Sequence, residues 1–185
     1  TFSHTEAIDP FPTKNISATA GMPVYANEWA IVDIKNRFDY IFKPVKEGGG
    51  KPKLDLIDCS AYTCNNPIVI NSLEIIPVPI LHGTLCDSGW LMSERTSDGS
   101  KSSIAYLTDC SCVPEDSINL INQNAGNLEH LVIDGLRKKP HSTHFSFEQA
   151  IGVAKKLKPK HTWLTHITHD MSHEDIRKYV KELDT

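Results

Sequence analysis

The stretch Leu164-Thr-His-Ile-Thr-His-Asp-Met-Ser-His173 brings three histidines, His166, His169 and His173, into eight residues near the end of the chain. A short apolar run over 162–164 precedes the histidines, and a segment with helical spacing follows them. Neutral imidazole is the commonest metal ligand in proteins, and a loop that follows a strand is a common place for it. The stretch therefore predicts a metal centre at the end of the last strand.

Two upstream strands end in the same kind of residue. His82 closes an apolar run over 73–81 and is followed by Gly83, while Asp109 closes a run over 104–108. Strands that end at one edge of a sheet converge in space, so His82, Asp109 and His166 are expected to meet. A set of two histidines and a carboxylate suits zinc, manganese or iron. Each residue alone is more often a surface histidine or a turn aspartate, and only the combination favours a site.

The length and composition are those of an ordinary globular protein. The 185 residues are 39% hydrophobic and 23% charged, which predicts one domain over residues 1–185 with a sizeable core. The net charge of −4 argues against a general nucleic-acid binder. No apolar run reaches the roughly 18–20 residues that a bilayer span needs. We expect a cytoplasmic protein, with the nucleus as the other option, and a homo-oligomer stays open.

The cysteines and the first residue add two expectations. The five cysteines match no zinc-finger or disulfide framework, which favours reduced thiols and leaves Cys110-Ser-Cys112 as a weak candidate for a soft metal site. The chain begins at Thr1, in the middle of what reads as a motif, which is expected of a fragment, a processed form or a trimmed form of a longer chain.

Hydrophobic periodicity predicts a β-rich first part, followed by alternating helices and strands. Strands are predicted over 22–26, 54–61, 67–70, 73–81, 89–93, 103–108, 128–134 and 161–164, and helices over 28–37, 116–124, 146–157 and 173–183. Pro77 and Pro79 argue against a fully paired central position for the strand that contains them. This order predicts an α/β fold in which sheet packs between helices.

Five ordered motifs carry a family resemblance over nearly the whole chain. They are Pro77-Val-Pro-Ile-Leu-His-Gly83, Ile104-Ala-Tyr-Leu-Thr-Asp109, Leu131-Val-Ile-Asp-Gly-Leu-Arg137, Pro140-His-Ser-Thr-His-Phe-Ser-Phe-Glu-Gln-Ala150 and Leu164-Thr-His-Ile-Thr-His-Asp-Met171. The sequence resembles the metallo-β-lactamase superfamily. The nearest branch resembles the phosphoribosyl cyclic phosphate phosphodiesterases of phosphonate metabolism, with the tRNase Z type endonucleases more distant.

The resemblance implies an αββα metallo-β-lactamase-like sandwich, here apparently lacking its N-terminal strands, with a divalent metal site of zinc or manganese at the sheet edge. It also implies a role for each of six residues: His82 on one metal, Asp109 bridging, His166 on the second metal, His144 as the proton donor to the leaving group, and Asp134 and His169 orienting the ligands.

The first metal motif departs from the family pattern His-x-His-x-Asp-His. The best match is Thr1–Ile8, where His4 keeps the second histidine and Glu6 replaces the aspartate. Phe2 replaces the first histidine and cannot bind a metal. His4 and Glu6 are therefore the remaining candidate ligands from this motif, and the site would hold one or two ions.

Two functions of different classes follow. The first is a metal-dependent hydrolase of a phosphodiester, either a small molecule or nucleotide-like, in which metal-bound hydroxide attacks phosphorus and His144 protonates the leaving oxygen. The alternative is a catalytically inactive protein of the same fold that acts as a binding or scaffold module, which Phe2 and Glu6 favour. Hydrolysis of a thioester or lactone is a third option, because the fold alone does not fix the substrate.

Overall fold

The computed structural model describes residues 21–44 and 52–183 of the chain. The chain falls into two compact units that divide after Ala61. His4 and Glu6, the two candidate ligands of the first motif, lie outside the described residues. Among the described residues, no helix has the length and apolar character needed to cross a membrane.

In residues 21–44 and 52–61, the part of the N-terminal unit that the structure describes, the strands and α-helices are β1 (Met22–Ala26), α1 (Glu28–Arg37), α2 (Asp39–Phe42) and β2 (Leu54–Asp58). The two strands pair in parallel. The side chain of Asn27 caps α1 by accepting a hydrogen bond from the Ala30 N–H at 2.9 Å. The strand predicted over 54–61 is too long, because Asp58 accepts the Ser60 N–H at 2.9 Å and turns Cys59–Ala61 into a 3-10 helix.

The C-terminal unit carries a six-stranded sheet with the strands in chain order. Its elements are β3 (Ile68–Ile70), β4 (Leu73–His82), β5 (Leu85–Arg95), β6 (Lys101–Leu107), α3 (Glu115–Asn124), β7 (Asn127–Asp134), α4 (Phe147–Leu157), β8 (His161–Thr165) and α5 (His173–Leu183). The pairs from β3 to β6 are antiparallel, and β6, β7 and β8 are parallel. The predicted α/β class is confirmed.

The strand directions bring four strand ends to one edge of this sheet. β5 is antiparallel to both β4 and β6, so β4 and β6 run the same way, and β7 and β8 are parallel to β6. The C-terminal ends of β4, β6, β7 and β8 therefore lie along one edge, which we call the site edge. His82, Asp109, Asp134 and His166 all lie at or just beyond these ends.

One face of the sheet is buried beneath α3 and α4. Ile76, Val78 and Ile80 of β4 alternate inward and join one apolar cluster with Ile121 of α3 and Ala150 of α4. The prolines of β4 fit this arrangement as predicted. β3 pairs only with Leu73 to Ile75, so Pro77 and Pro79 are paired on the β5 side alone within the described sheet.

A capping box fixes the start of α4, the helix that connects β7 to β8. The Ser146 side chain accepts the Gln149 N–H, and the Gln149 side chain accepts the Ser146 N–H at 2.9 Å. The cap is therefore Ser146, and the helix predicted over 146–157 begins at Phe147. This fixed start also fixes the end of the preceding loop, which carries His144.

Candidate metal centre

Four side chains converge at the site edge. His82 Nε2 lies 3.4 Å from His144 Nε2, and His166 Nε2 lies 3.3 Å from Asp109 Oδ1. One ligand atom each from His82, Asp109 and His144 lies within 4.8 Å of the others. Donor atoms at about 2.1 Å from a tetrahedral ion are about 3.4 Å apart, and the 3.4 Å and 3.3 Å separations match this spacing. The limit of 4.8 Å for the group of three exceeds the roughly 4.2 Å that two donors on one such ion can span, so these side chains must move closer together to bind a single ion. The nitrogen and oxygen donor set is one that zinc and manganese accept.

The backbone is left-handed at two of the converging residues. Asp109 and His166 both have φ of 56°, and each follows the end of a parallel strand. Residues with a Cβ adopt this conformation at a cost, most readily when they are Asn, Asp or His. Such strain persists where the surrounding structure holds it, and it concentrates at functional sites. Here it accompanies the turn that leads both side chains into the cluster.

The carboxylate of Asp134 contacts three of the residues that bear on the cluster: Asp109, His144 and His166. Its side chain is fully buried, and its two oxygens contact two backbone N–H groups, of Asp109 at 3.1 Å and of Cys110 at 2.8 Å. The same oxygens lie 2.6 Å from His144 Nδ1 and 2.9 Å from His166 Nδ1. An ionised carboxylate only accepts hydrogen bonds, so both histidines carry a proton on Nδ1. Each Nε2 therefore faces the cluster, free to bind a metal or to hold a proton.

The loop that carries His144 packs against the tip of the β4–β5 hairpin. Gly83 has φ of 65°, and a Cβ at this position would lie 3.1 Å from the Thr143 side chain. The Gly83 N–H donates to Ser111 Oγ at 2.9 Å, and that hydroxyl donates to the Leu81 carbonyl at 3.1 Å. Ser111 and Thr143 thus support the site. Sequence reasoning missed both, since neither is a ligand type, although Ser111 lies two residues after Asp109.

Two other sequence candidates stand apart from the cluster. His169 is exposed, and within the described part of the chain no hydrogen bond or ring contact given for it reaches the four converging side chains, so its orienting role stays a prediction. Cys110 is fully buried, which raises the pKa of its thiol to about 12, and its Sγ–H donates to the Cys112 carbonyl at 3.4 Å. This thiol is engaged with a backbone carbonyl, and the soft-metal interpretation of Cys110-Ser-Cys112 stays a prediction.

Comparisons with known proteins place this fold and site in a family. The family described as "Beta-lactamase superfamily domain" matches residues 4–167. A solved structure of a diphosphatase from the PhnP family is 31% identical, with a TM-score of 0.68 over 94% of this chain and 57% of that one. The octanoyltransferase of Porphyromonas gingivalis is 27% identical over 91% of this chain.

Two more solved structures are similar in fold only. The metallo-β-lactamase fold protein YhfI of Bacillus subtilis is 16% identical, with a TM-score of 0.56 over 87% of this chain and 58% of that one. The isothiocyanate hydrolase from Delia radicum gut bacteria is 12% identical, with a TM-score of 0.55 over 87% of this chain and 60% of that one. The chain spans only 30% of the length of the octanoyltransferase. On the match to residues 4–167 and these structures, the chain belongs to the metallo-β-lactamase superfamily.

Proposed function

We propose that the protein is a metal-dependent hydrolase that acts on a phosphodiester. The group of donor atoms that the structure brings together is His82, Asp109 and His144. The family resemblance instead makes His82, Asp109 and His166 the ligands, and we follow it: these three would hold the divalent metal, and His144 would give a proton to the leaving oxygen. The observation that carries the proposal is the buried Asp134 carboxylate, which fixes the Nδ1 proton of both His144 and His166 and leaves both Nε2 atoms in one cluster. A bound divalent ion supplies Lewis acidity and a water of lowered pKa.

The chain's own residues supply the proton transfer. During hydrolysis the bond from phosphorus to the leaving oxygen breaks, and a bond from phosphorus to a water oxygen forms. Protonated His144 would deliver its Nε2 proton to the leaving oxygen, while Asp134 Oδ2 at 2.6 Å from Nδ1 stabilises the imidazolium before that transfer. The leaving product is then a neutral alcohol, and His144 regains a proton from the water that attacked.

Similarity to a diphosphatase supports phosphorus as the reacting atom, since that protein cleaves a phosphate substrate by name. The identity of 31% with that structure exceeds that with the other solved structures described above. The octanoyltransferase is more than three times as long as the part that this chain matches. Its named activity belongs to the whole of that longer protein, and so it gives weak support for acyl transfer by this chain. These similarities therefore favour chemistry at phosphorus over acyl transfer, and the phosphodiester is our proposal within that class.

The test compares two diesters that differ in their leaving group. One releases p-nitrophenolate, which departs without a proton, and the other is a dinucleoside monophosphate, whose poorer leaving group, an alcohol oxygen, needs a proton as it departs. We expect His144→Asn to lower kcat on the dinucleoside by about 100-fold or more and to lower it far less on the nitrophenyl ester. His161→Gln removes a histidine from the opposite end of β8 and should change neither rate.

Three results would contradict the proposal. An equal loss of rate on both diesters would show that His144 does not protonate the leaving group. Loss of bound metal in His144→Asn would make His144 a ligand instead. A protein that holds metal and cleaves neither diester would support the binding or scaffold module.

A further inference from the structure

The outer edge of β8 has no neighbouring strand in the described part of the chain. β8 is the last strand in the order of the six-stranded sheet, and it pairs with β7 alone. An unpaired edge presents a row of backbone N–H and C=O groups, which is a ready template for pairing with another strand. The edge of β8 can therefore accept a further strand.

The backbone groups that this edge presents are those of His161 and Trp163. The Lys160 N–H, just before β8, donates to the Leu128 carbonyl at 2.9 Å and so faces β7. The backbone groups of successive residues point to opposite sides of a strand, so Thr162 also faces β7, whereas His161 and Trp163 face away from the sheet. Within the described residues, no backbone hydrogen bond to another element involves these outward N–H and C=O groups.

The opposite edge of the sheet is closed to such pairing. There β3 is only three residues long. Beyond β3, the Leu81 N–H of β4 points outward and donates to the Cys112 carbonyl at 2.9 Å, so Pro79 and Pro77 occupy outward positions too. Proline has no N–H, and the Pro79 carbonyl already accepts the Ser117 hydroxyl at 2.5 Å. Short strands and prolines are means by which proteins prevent edge pairing, and β8 contains no proline.

The side chains at the two outward positions of β8 are aromatic rings that the structure holds in place. The His161 ring stacks on His130 with the ring centroids 5.3 Å apart, and Trp163 Nε1–H donates to His130 Nδ1 at 3.1 Å. Trp163 nevertheless leaves 55% of its surface exposed. An exposed aromatic side chain that is already fixed loses little conformational entropy on binding, and tryptophan is enriched among the anchor residues of interfaces.

We propose that β8 pairs antiparallel with β8 of a second copy of this chain, about a two-fold axis at Thr162. The axis brings His161 of each copy opposite Trp163 of the other. Each of these two pairs exchanges both N–H to C=O hydrogen bonds, which gives four bonds in all and uses every outward group of the two residues.

A second copy is the occupant that the sequence of β8 favours, because this strand complements itself. The two-fold axis pairs the aromatic rings of His161 and Trp163 and sets Thr162 opposite Thr162, and both are favourable cross-strand combinations. β8 contains no Asp, Glu, Lys or Arg, so no like charges meet across the axis. The pairing starts at the end of β8 that lies away from the site edge, so the dimer leaves the candidate metal centre accessible.

The first test is sedimentation equilibrium of the full chain from about 1 µM to about 1 mM, a range in which an interface of this small size dissociates. We expect monomer at the low end and dimer at the high end. His161→Pro removes an outward N–H while the bonds to β7 remain, and it should raise the dissociation constant by about tenfold or more, because two of the four hydrogen bonds are lost. The matched control His161→Gln keeps the backbone donor and should raise it by less than about fivefold. A monomer at every concentration, or an unchanged dissociation constant in His161→Pro, would overturn the inference.

The second test needs no variant, so it decides the question even if His161→Pro does not fold. Amide hydrogen exchange of the wild type, measured by NMR, should slow at His161 and Trp163 by about threefold or more between dilute and concentrated protein. The Thr162 amide already faces β7, so its exchange should stay slow at both concentrations. A dimer in which the His161 and Trp163 amides exchange as fast as in the monomer would use another surface, and that result would also overturn the inference.

Discussion

At the scale of single residues, Asp134 determines the state of the candidate centre. One buried carboxylate accepts from the backbone at Asp109 and Cys110 and contacts Nδ1 of His144 and His166. The sequence resemblance predicted that Asp134 orients ligands. The structure adds that Asp134 contacts two histidines and two backbone N–H groups, those of Asp109 and Cys110. These contacts depend on how β6, β7 and β8 pack together, and no local pattern in the sequence reveals that packing.

Replacing Asp134 by Asn should destabilise the fold. The amide nitrogen would face a donor where the carboxylate had an acceptor, so at least one buried N–H would lose its partner. We expect the free energy of unfolding to fall by about 3 kcal/mol, measured by urea denaturation. Asp116→Asn, at an exposed position in the first turn of α3, should cost less than about 1 kcal/mol. Equal losses in the two variants would contradict the role of Asp134.

At the scale of secondary structure, the sequence predicts the elements better than their arrangement. The apolar runs predicted β7, β8 and the helices α1, α3, α4 and α5 to within a few residues, because hydrophobic spacing and capping residues are local. The short helix α2 was not predicted. The direction of β4 is different in kind. β5 is antiparallel to both β4 and β6, so β4 runs in the same direction as β6 and its last residue, His82, lies at the site edge. The sign of this strand direction in the sequence is Gly83, in the turn between β4 and β5.

Gly152 and Gly126 differ in whether the structure has room for a side chain, so replacing each by alanine should change the stability in opposite directions. Gly152 lies in α4, where an added Cβ meets nothing within 4 Å, so Gly152→Ala should stabilise the protein by about 0.5–1 kcal/mol. Gly126 has φ of 62°, and an added Cβ would lie 2.6 Å from the Lys101 carbonyl oxygen, so Gly126→Ala should destabilise it by more than about 1 kcal/mol. Thermal unfolding of both variants checks the two signs, and the same sign for both would refute this account of the α3–β7 turn.

At the scale of the whole molecule, the candidate metal centre and the cavity lined by Arg137, Lys138 and Lys139 both belong to the C-terminal unit. Both lie beyond Ala61, where the C-terminal unit begins, and the loops after β7 and β8 contribute to both. His82 of β4 and Asp109, which follows β6, complete the candidate centre. The sequence predicts that His82, Asp109 and His166 meet, because ligand-type residues at strand ends are a recognisable signal; that they bind a metal stays a prediction. It does not predict the cavity, because Arg137, Lys138 and Lys139 look like a solvated charge run in the sequence, and the hydrogen bond from Thr168 to Leu136 beside them joins two loops that are distant along the chain.

The central claim is that the side chains at the site edge hold a metal. The most direct measurement is the metal content per chain by plasma mass spectrometry, on protein purified without chelator and then offered zinc or manganese. Asn is the replacement of choice at Asp109 and His166, because Asn tolerates the left-handed backbone found at both positions. Loss of metal in such a variant then reports on the ligand rather than on backbone strain.

We predict about one or two equivalents of metal in the wild type, the same content in His161→Gln, and the loss of at least one equivalent in the double variant Asp109→Asn/His166→Asn. A wild type that takes up no metal even when it is offered, or a double variant that retains the full content, would contradict the account.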